Sequence, residues 1–345
     1  MRTSIIRTRL HTLCARNLGL ILCVVGAAPA DAKGEFTTFD APGSLNTFVS
    51  SINRAGVVVG EYQASQDAPI NGSLPQHGFV RAVDGTITSF DPPHSTDTVS
   101  TGINSKGVID GWYIDDNSAI HAFERMGSGK IRTFDPKGSI ATTVWGINDS
   151  GSIVGEYADR RRYHGFVRDK DGTITTFDPA GSKDTRAHAI NSAGTVAGTY
   201  YDAKDVDHAY VRSSDGTITT FDAPDGLGSQ ARDINDDGVV AGSYFDGGFH
   251  GFVRAADGTI TEFDPPGSTG TSPLSINAKG QITGSYDDSS GNTHGFVRSA
   301  TGVIQTFDCP DSSATSGASI NNAGAIAGYF QDGATKIDRG FVRAR

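Results

Sequence analysis

The sequence predicts an all-β fold: a seven-bladed β-propeller with four antiparallel strands in each blade. Three observations predict it. A Phe-Asp pair recurs at Phe39-Asp40, Phe90-Asp91, Phe134-Asp135, Phe177-Asp178, Phe221-Asp222, Phe263-Asp264 and Phe307-Asp308. An Ile-Asn pair recurs in step with it, at Asn53, Asn104, Asn148, Asn191, Asn235, Asn277 and Asn321, both series advancing by 51, 44, 43, 44, 42 and 44 residues. Such a period is the signature of a repeat architecture whose units stack on one another. Finally, the two ends are complementary: the repeats open on an isolated Phe-Asp strand and close on a unit that lacks one.

Residues 1–32 read as a signal peptide, and residues 33–345 as the propeller. Arg2, Arg7, Arg9 and Arg16 precede a short apolar run at 18–28, followed by the small-residue pattern Ala28-Pro29-Ala30-Asp31-Ala32. That is the order of an export signal, and the run falls short of the roughly 20 residues of a membrane span. The expectation is a secreted protein, periplasmic or extracellular, with no membrane span. Residues 1–32 hold four Arg and one Asp, so their removal takes the net charge from −10 to −13. An acidic chain of this kind is not a nucleic-acid binder. Cys14 and Cys23 leave with the signal, and Cys309 alone cannot form an intramolecular disulfide. A secreted domain without disulfides rests on a large core, and the expected state is a monomer.

Each unit reads as four strands. In the fourth unit these are 185–191, 195–200, 208–212 and 217–222, the last with the period-2 alternation of a half-buried strand. Asn191-Ser192-Ala193-Gly194 and Asp215-Gly216 supply hairpin turns. The remaining connection, Phe-Asp-x-Pro-Gly-Ser, is Pro-rich and suits a chain leaving a sheet edge. The Phe-Asp strand is therefore outermost in its blade and the Ile-Asn strand innermost in the next. The strand at 35–40 is then the outer strand of the last blade, beside the terminal strand at 340–345.

The units resemble the HAF-type extracellular repeats of bacterial secreted proteins, named for a tripeptide seen here as His121-Ala122-Phe123. The resemblance covers residues 34–345. Six units keep His-Gly-Phe or a close variant, and the seventh has Arg339-Gly340-Phe341. It implies the fold and export, and no particular activity.

Six histidines, His77, His121, His164, His208, His250 and His294, share one repeat position. They start the third strand, about 10 Å outside the innermost one, so neighbours on the ring stand on the order of 13 Å apart. Zinc ligands must lie about 2 Å from one ion, so the ring holds no shared metal. Each histidine is expected to bond the aspartate ending the second strand, such as Asp115, Asp159, Asp202, Asp246 or Asp288. The repeated Asp and Asn are expected to cap turn N–H groups. No cofactor is implied, although Asp236-Asp237-Gly238 and Asp287-Asp288 with Asn292 leave structural calcium open. No Gly-x-Ser-x-Gly, His-Glu-x-x-His or phosphate-binding glycine loop occurs.

A unique site should use residues that break the repeat where strands converge. Three residues before each Asn stand Ser50, Thr101, Trp145, His188, Arg232, Leu274 and Ala318; five before stand Phe48, Val99, Thr143, Arg186, Gln230, Ser272 and Ser316. The large polar and aromatic departures are Trp145, Arg186, His188, Gln230 and Arg232, and the loop of blade three adds Arg161 and Tyr163. These seven residues form the candidate ligand site. Guanidinium groups and an aromatic plane suit an anionic small molecule, a polysaccharide or a protein partner. The leading reading is a non-catalytic binding module. One alternative is a channel-centred lyase or hydrolase, with His188 as base and Arg186 or Arg232 stabilising charge. Another is a purely structural cell-surface module.

Overall fold

The computed structural model describes residues 34–69, 73–224 and 226–345; the expected signal peptide lies outside them. The described residues form 28 strands and no helix, so no helix is long and apolar enough to cross a membrane.

The strands pair in groups of four in chain order. One four-stranded antiparallel sheet runs Ser44–Ile52, Val58–Ala64, Gln76–Arg81, Ile87–Phe90. Two others repeat the order from Asp184–Ile190 to Ile218–Phe221 and from Gly228–Ile234 to Ile260–Phe263. Two eight-stranded sheets each hold two such groups, joined only where one inner strand touches the previous group, Ala141 beside Ile120 and Thr293 beside Ala314. In the last group the fourth place is taken by the first strand of the chain. Phe36–Phe39 pairs with Asp338–Arg343, Phe36 opposite Arg343 and Phe39 opposite Gly340.

Each marker of the repeat has a physical job. The Asn at the end of every inner strand accepts turn N–H groups on its Oδ1; Asn191, for example, takes those of Ala193 and Thr195 at 3.1 and 2.9 Å. Its Nδ2 donates to the backbone carbonyl of the next unit's Asn. The bonds run from Asn53 to Asn104, Asn148, Asn191, Asn235, Asn277 and Asn321, and from Asn321 back to Asn53 at 3.1 Å. The turn closes through a glycine in the left-handed region, Gly194 at φ 79°, which a side chain would strain.

Farther out, the aromatic residue of the His-Gly-Phe marker is fully buried in every unit: Phe79, Phe123, Phe166, Tyr210, Phe252, Phe296 and Phe341. Each meets the Phe of a preceding Phe-Asp pair edge-on, from 6.4 Å for Phe134–Phe166 to 5.9 Å for Phe177–Tyr210. The arginine two residues later lies over that same Phe, as Arg168 does over Phe134 at 4.5 Å. Such cation–π contacts weld neighbouring units where solvent would otherwise enter. Phe39, from the first strand, packs on Phe79 at 6.0 Å and carries Arg81 at 4.9 Å. The N-terminal strand thus joins the last group to the first. The second-strand glycines fit the same close packing: a Cβ on Gly155 would sit 2.1 Å from the Thr143 carbonyl oxygen.

Deleting residues 35–40 removes a paired strand together with Phe36 and Phe39. The expected loss of stability is at least about 3–5 kcal/mol, the cost of truncating one packed Phe. Urea denaturation checks this, and an unchanged midpoint would show that the first strand does not close the molecule.

Candidate functional site

The inner strands are not regular. In every unit the residue three before the Asn is skipped by the pairing: the register shifts across Ser50, Thr101, Trp145, His188, Arg232, Leu274 and Ala318. A β-bulge re-aims a side chain, and here it turns seven of them towards the middle of the molecule. Together the seven line one cavity of about 180 Å³. Its floor is the Ile-Asn ring, beyond which a second opening of about 310 Å³ is lined by the seven asparagines.

Trp145, His188 and Arg232 therefore meet at one cavity, as the sequence suggested. Trp145 is 40% exposed, with its ring centroid 6.2 Å from that of His188. His188 lies deep in the channel. Its pKa is pushed down to about 3, chiefly by burial and further by the Arg232 and Arg186 guanidinium groups, so the imidazole is neutral. Gln230 and Arg186 stand two residues earlier on the same inner strands and do not join the cavity wall. Gln230 Nε2 donates to Asp207 at 2.6 Å, and its Oε1 accepts from Arg232. Arg186 lies over Tyr201 at 5.3 Å and 3.5 Å from Glu156. Burial raises the Glu156 carboxyl to about 7, against the pull of Arg186, Thr143 and Trp145.

The arginines differ in their partners. Arg162 pairs with Asp178, Arg168 with Glu124, Arg186 with Glu156 and Arg339 with Asp40. Arg232 has no carboxylate within ion-pair distance among the described residues; its bond is to the neutral Gln230. Arg161 and Tyr163 do not join the cavity wall. Their loop does lie at the same end, since Tyr163 N–H donates to Asp184 at the start of an inner strand, 2.8 Å away. Arg161 is held there by its backbone N–H on Asp159, and Tyr163 is exposed.

Sequence reasoning missed the second-strand residues that stand beside the inner strands. The position after the second-strand glycine carries Glu61, Trp112, Glu156, Thr199, Ser243, Ser285 and Tyr329, each opposite the residue five before the Asn. Its variability was the available signal.

The histidines are bonded mainly to a different aspartate than expected. Nδ1 of His77, His121, His164, His208, His250 and His294 meets the Asp of the Phe-Asp pair fourteen residues on, at 2.7 to 2.9 Å. The strand-end aspartates face Nε2: Asp246 is 2.9 Å from His250, but Asp115, Asp159, Asp202 and Asp288 stand 3.4 to 3.8 Å away. The Phe-Asp carboxylate is thus a side-chain acceptor and not the expected turn cap. It also reaches the next unit, as Asp178 does in accepting from the Thr185 hydroxyl at 2.8 Å. The acidic turns singled out for calcium use their oxygens internally, Asp288 on Ser290 and Asn292 and Asp236 on Ser192. Among the described residues no group of three or more His, Cys, Asp or Glu is arranged to hold a metal.

No protein-family model and no curated protein matches the sequence. Solved structures do match in shape. A catalytically inactive virginiamycin B lyase from Staphylococcus aureus, solved with quinupristin, aligns over 90% of this chain and 99% of its own, at 15% identity and a TM-score of 0.62. The β-propeller domain of the Trilobed protease from Pyrococcus furiosus covers 87% of this chain and 94% of its own, at 11% identity and 0.60. The fold is a β-propeller. TolB from Acinetobacter baumannii aligns more loosely, over 73% of this chain and 63% of its own, at 13% identity and a TM-score of 0.52. At these identities the likeness extends to the propeller framework and no further.

One prediction concerns the histidines. Asp264 first, and burial against it, then Asp246, leave the folded pKa of His250 raised. Its ion-pair contribution is present in full below the unfolded value of about 6.5 and is lost as pH rises through the folded one. His250→Gln should cost about 1 kcal/mol at pH 6 and clearly less at pH 9 in urea titrations. An equal cost at both pH values would assign the residue to packing alone.

Proposed function

We propose that the chain is an exported seven-bladed propeller, four strands to a blade with the first strand completing the seventh, that binds a small carboxylate in its central channel. The seven-membered asparagine ring and the seven aromatic contacts support the blade count. The HAF-type markers and the basic and apolar pattern of residues 1–32 support export.

One observation carries the binding reading: a guanidinium in the channel without a carboxylate partner, beside a neutral imidazole and an exposed indole. Arg232 bonds Gln230, and Gln230 in turn bonds Asp207, whose charge reaches Arg232 without an ion pair. Arg232 is exposed to solvent at the cavity wall, so its guanidinium is open to an anionic ligand. The neutral His188 adds a hydrogen-bond donor without a second charge, and Trp145 supplies an apolar wall. The cavity of about 180 Å³ is smaller than the ~300–1,000 Å³ of drug-sized pockets, which suits a short acid.

A lyase or hydrolase with His188 as base is the second reading. His188 is ill suited to serve it. A general base works best with a pKa near the working pH, and an imidazole at about 3 accepts a proton poorly. The same neutrality serves binding without penalty.

Isothermal titration calorimetry with hexanoate tests the proposal. Arg232→Ala should weaken binding about tenfold or more, the scale of a lost charge-assisted hydrogen bond, while Arg161→Ala leaves it unchanged. Equal affinities for wild type and Arg232→Ala would overturn the assignment.

A further inference from the structure

Arg232 has a counterpart of opposite sign. Glu61 follows the second-strand glycine of the first unit and stands opposite Phe48. Among the described residues it has no cationic partner. Its only side-chain hydrogen bond comes from the Ser50 hydroxyl at 3.0 Å, and Ser50 lines the same cavity as Arg232. Burial raises the Glu61 carboxyl to about 8. Two aromatic rings stand beside it. Phe48 and Tyr329 meet edge-on at 5.5 Å, and the Tyr329 phenol is raised chiefly by burial, then by Asp338 and by Glu61.

The order of the asparagine bonds places these groups round the channel. Units follow one another from Asn53 to Asn321 and back. Glu61 belongs to the first and Arg232 to the fifth, three steps away round a ring of seven, on the far wall. The chain pairs other charges of this channel, as in Arg186 with Glu156, yet leaves these two apart. A carboxyl beside aromatic rings is the chemistry that receives an ammonium group, by charge and by cation–π attraction.

Resting on the carboxylate reading above, we propose that the channel ligand is a zwitterion with separated charges, its carboxylate at Arg232 and its protonated amine at Glu61, beside the Phe48–Tyr329 pair. An ω-amino acid or the backbone of a short peptide has this form. A free α-amino acid, with both charges on one carbon, does not span the channel. A plain carboxylate fills one end only and leaves the Glu61 carboxyl facing the ligand's apolar tail, an arrangement that costs affinity.

Three ligands with one carbon chain test this by calorimetry near pH 7: 6-aminohexanoate, hexanoate and hexylamine. Wild type should bind 6-aminohexanoate about tenfold or more tighter than hexanoate, the scale of one charge-assisted contact. Glu61→Gln should level the two without weakening hexanoate. Because Glu61 must ionise to receive the amine, binding of 6-aminohexanoate should release a proton to the buffer in wild type and none in Glu61→Gln, a readout that altered packing would not reproduce. Equal affinity of wild type for the two acids, or a preference that survives in Glu61→Gln, overturns the zwitterion and leaves the carboxylate site standing. If neither acid binds, or Arg232→Ala changes neither, the carboxylate reading falls and this one with it.

Discussion

A buried side-chain amide must satisfy both its ends, and in this protein that requirement organises everything inward of the second strand. Each of the seven asparagines uses its oxygen to close its own hairpin turn and its N–H₂ to hold the next unit. Aspartate has no donor for the second task, and glutamine is too long for the first. The bond from Asn321 to Asn53 means that the ring has no end, so a fault in one unit strains its neighbours. Leaving one such buried donor unpaired costs about 1–3 kcal/mol. The same ring fixes where every inner strand stops, and thereby the height at which each bulge turns a side chain inward. The cavity is thus a by-product of the scaffold: seven positions that must point to the centre and that contribute nothing to the pairing.

That division explains how much the sequence discloses. Phe39, Asn53, His77 and their repeats are legible because a repeated contact demands a repeated residue, and the strands they mark fall within a residue or two of their expected places. The inward positions of Trp145, His188 and Arg232 are legible for the opposite reason, as departures from a pattern. What stayed hidden depends on three-dimensional reach. Nothing in linear spacing says that His164 prefers Asp178 to Asp159, because the closer carboxylate is brought in by the outer strand's pairing. Glu61 was missed because attention to inner strands overlooks a neighbour whose side chain passes beside them. Arg161 and Tyr163 belong to the right face, but a loop residue that faces solvent does not converge on an axis.

Electrostatics follow the same logic. The chain is acidic, with net charge −10, and most of the described aspartates are spent locally. Asp84, Asp115, Asp202, Asp215 and Asp257 sit below the ordinary carboxylate range because turn N–H groups bond them, and those of the Phe-Asp pairs face histidines. At the channel the acids Glu61, Glu156 and Asp233 are held above the ordinary carboxylate range by burial, which leaves Arg232 as the cation of the cavity wall. The result is a positive recess in a negative shell, a field that draws small anions to the mouth and favours them over large polyanions, which the shell repels.

A ligand that enters this recess lies against Trp145. The sequence holds two tryptophans, so in Trp112→Phe protein the indole fluorescence reports on Trp145 alone. Titration with hexanoate should change that emission saturably, over the concentration range in which calorimetry records binding. Emission that stays constant while calorimetry records binding would place the ligand away from Trp145 and rule out the channel as its site.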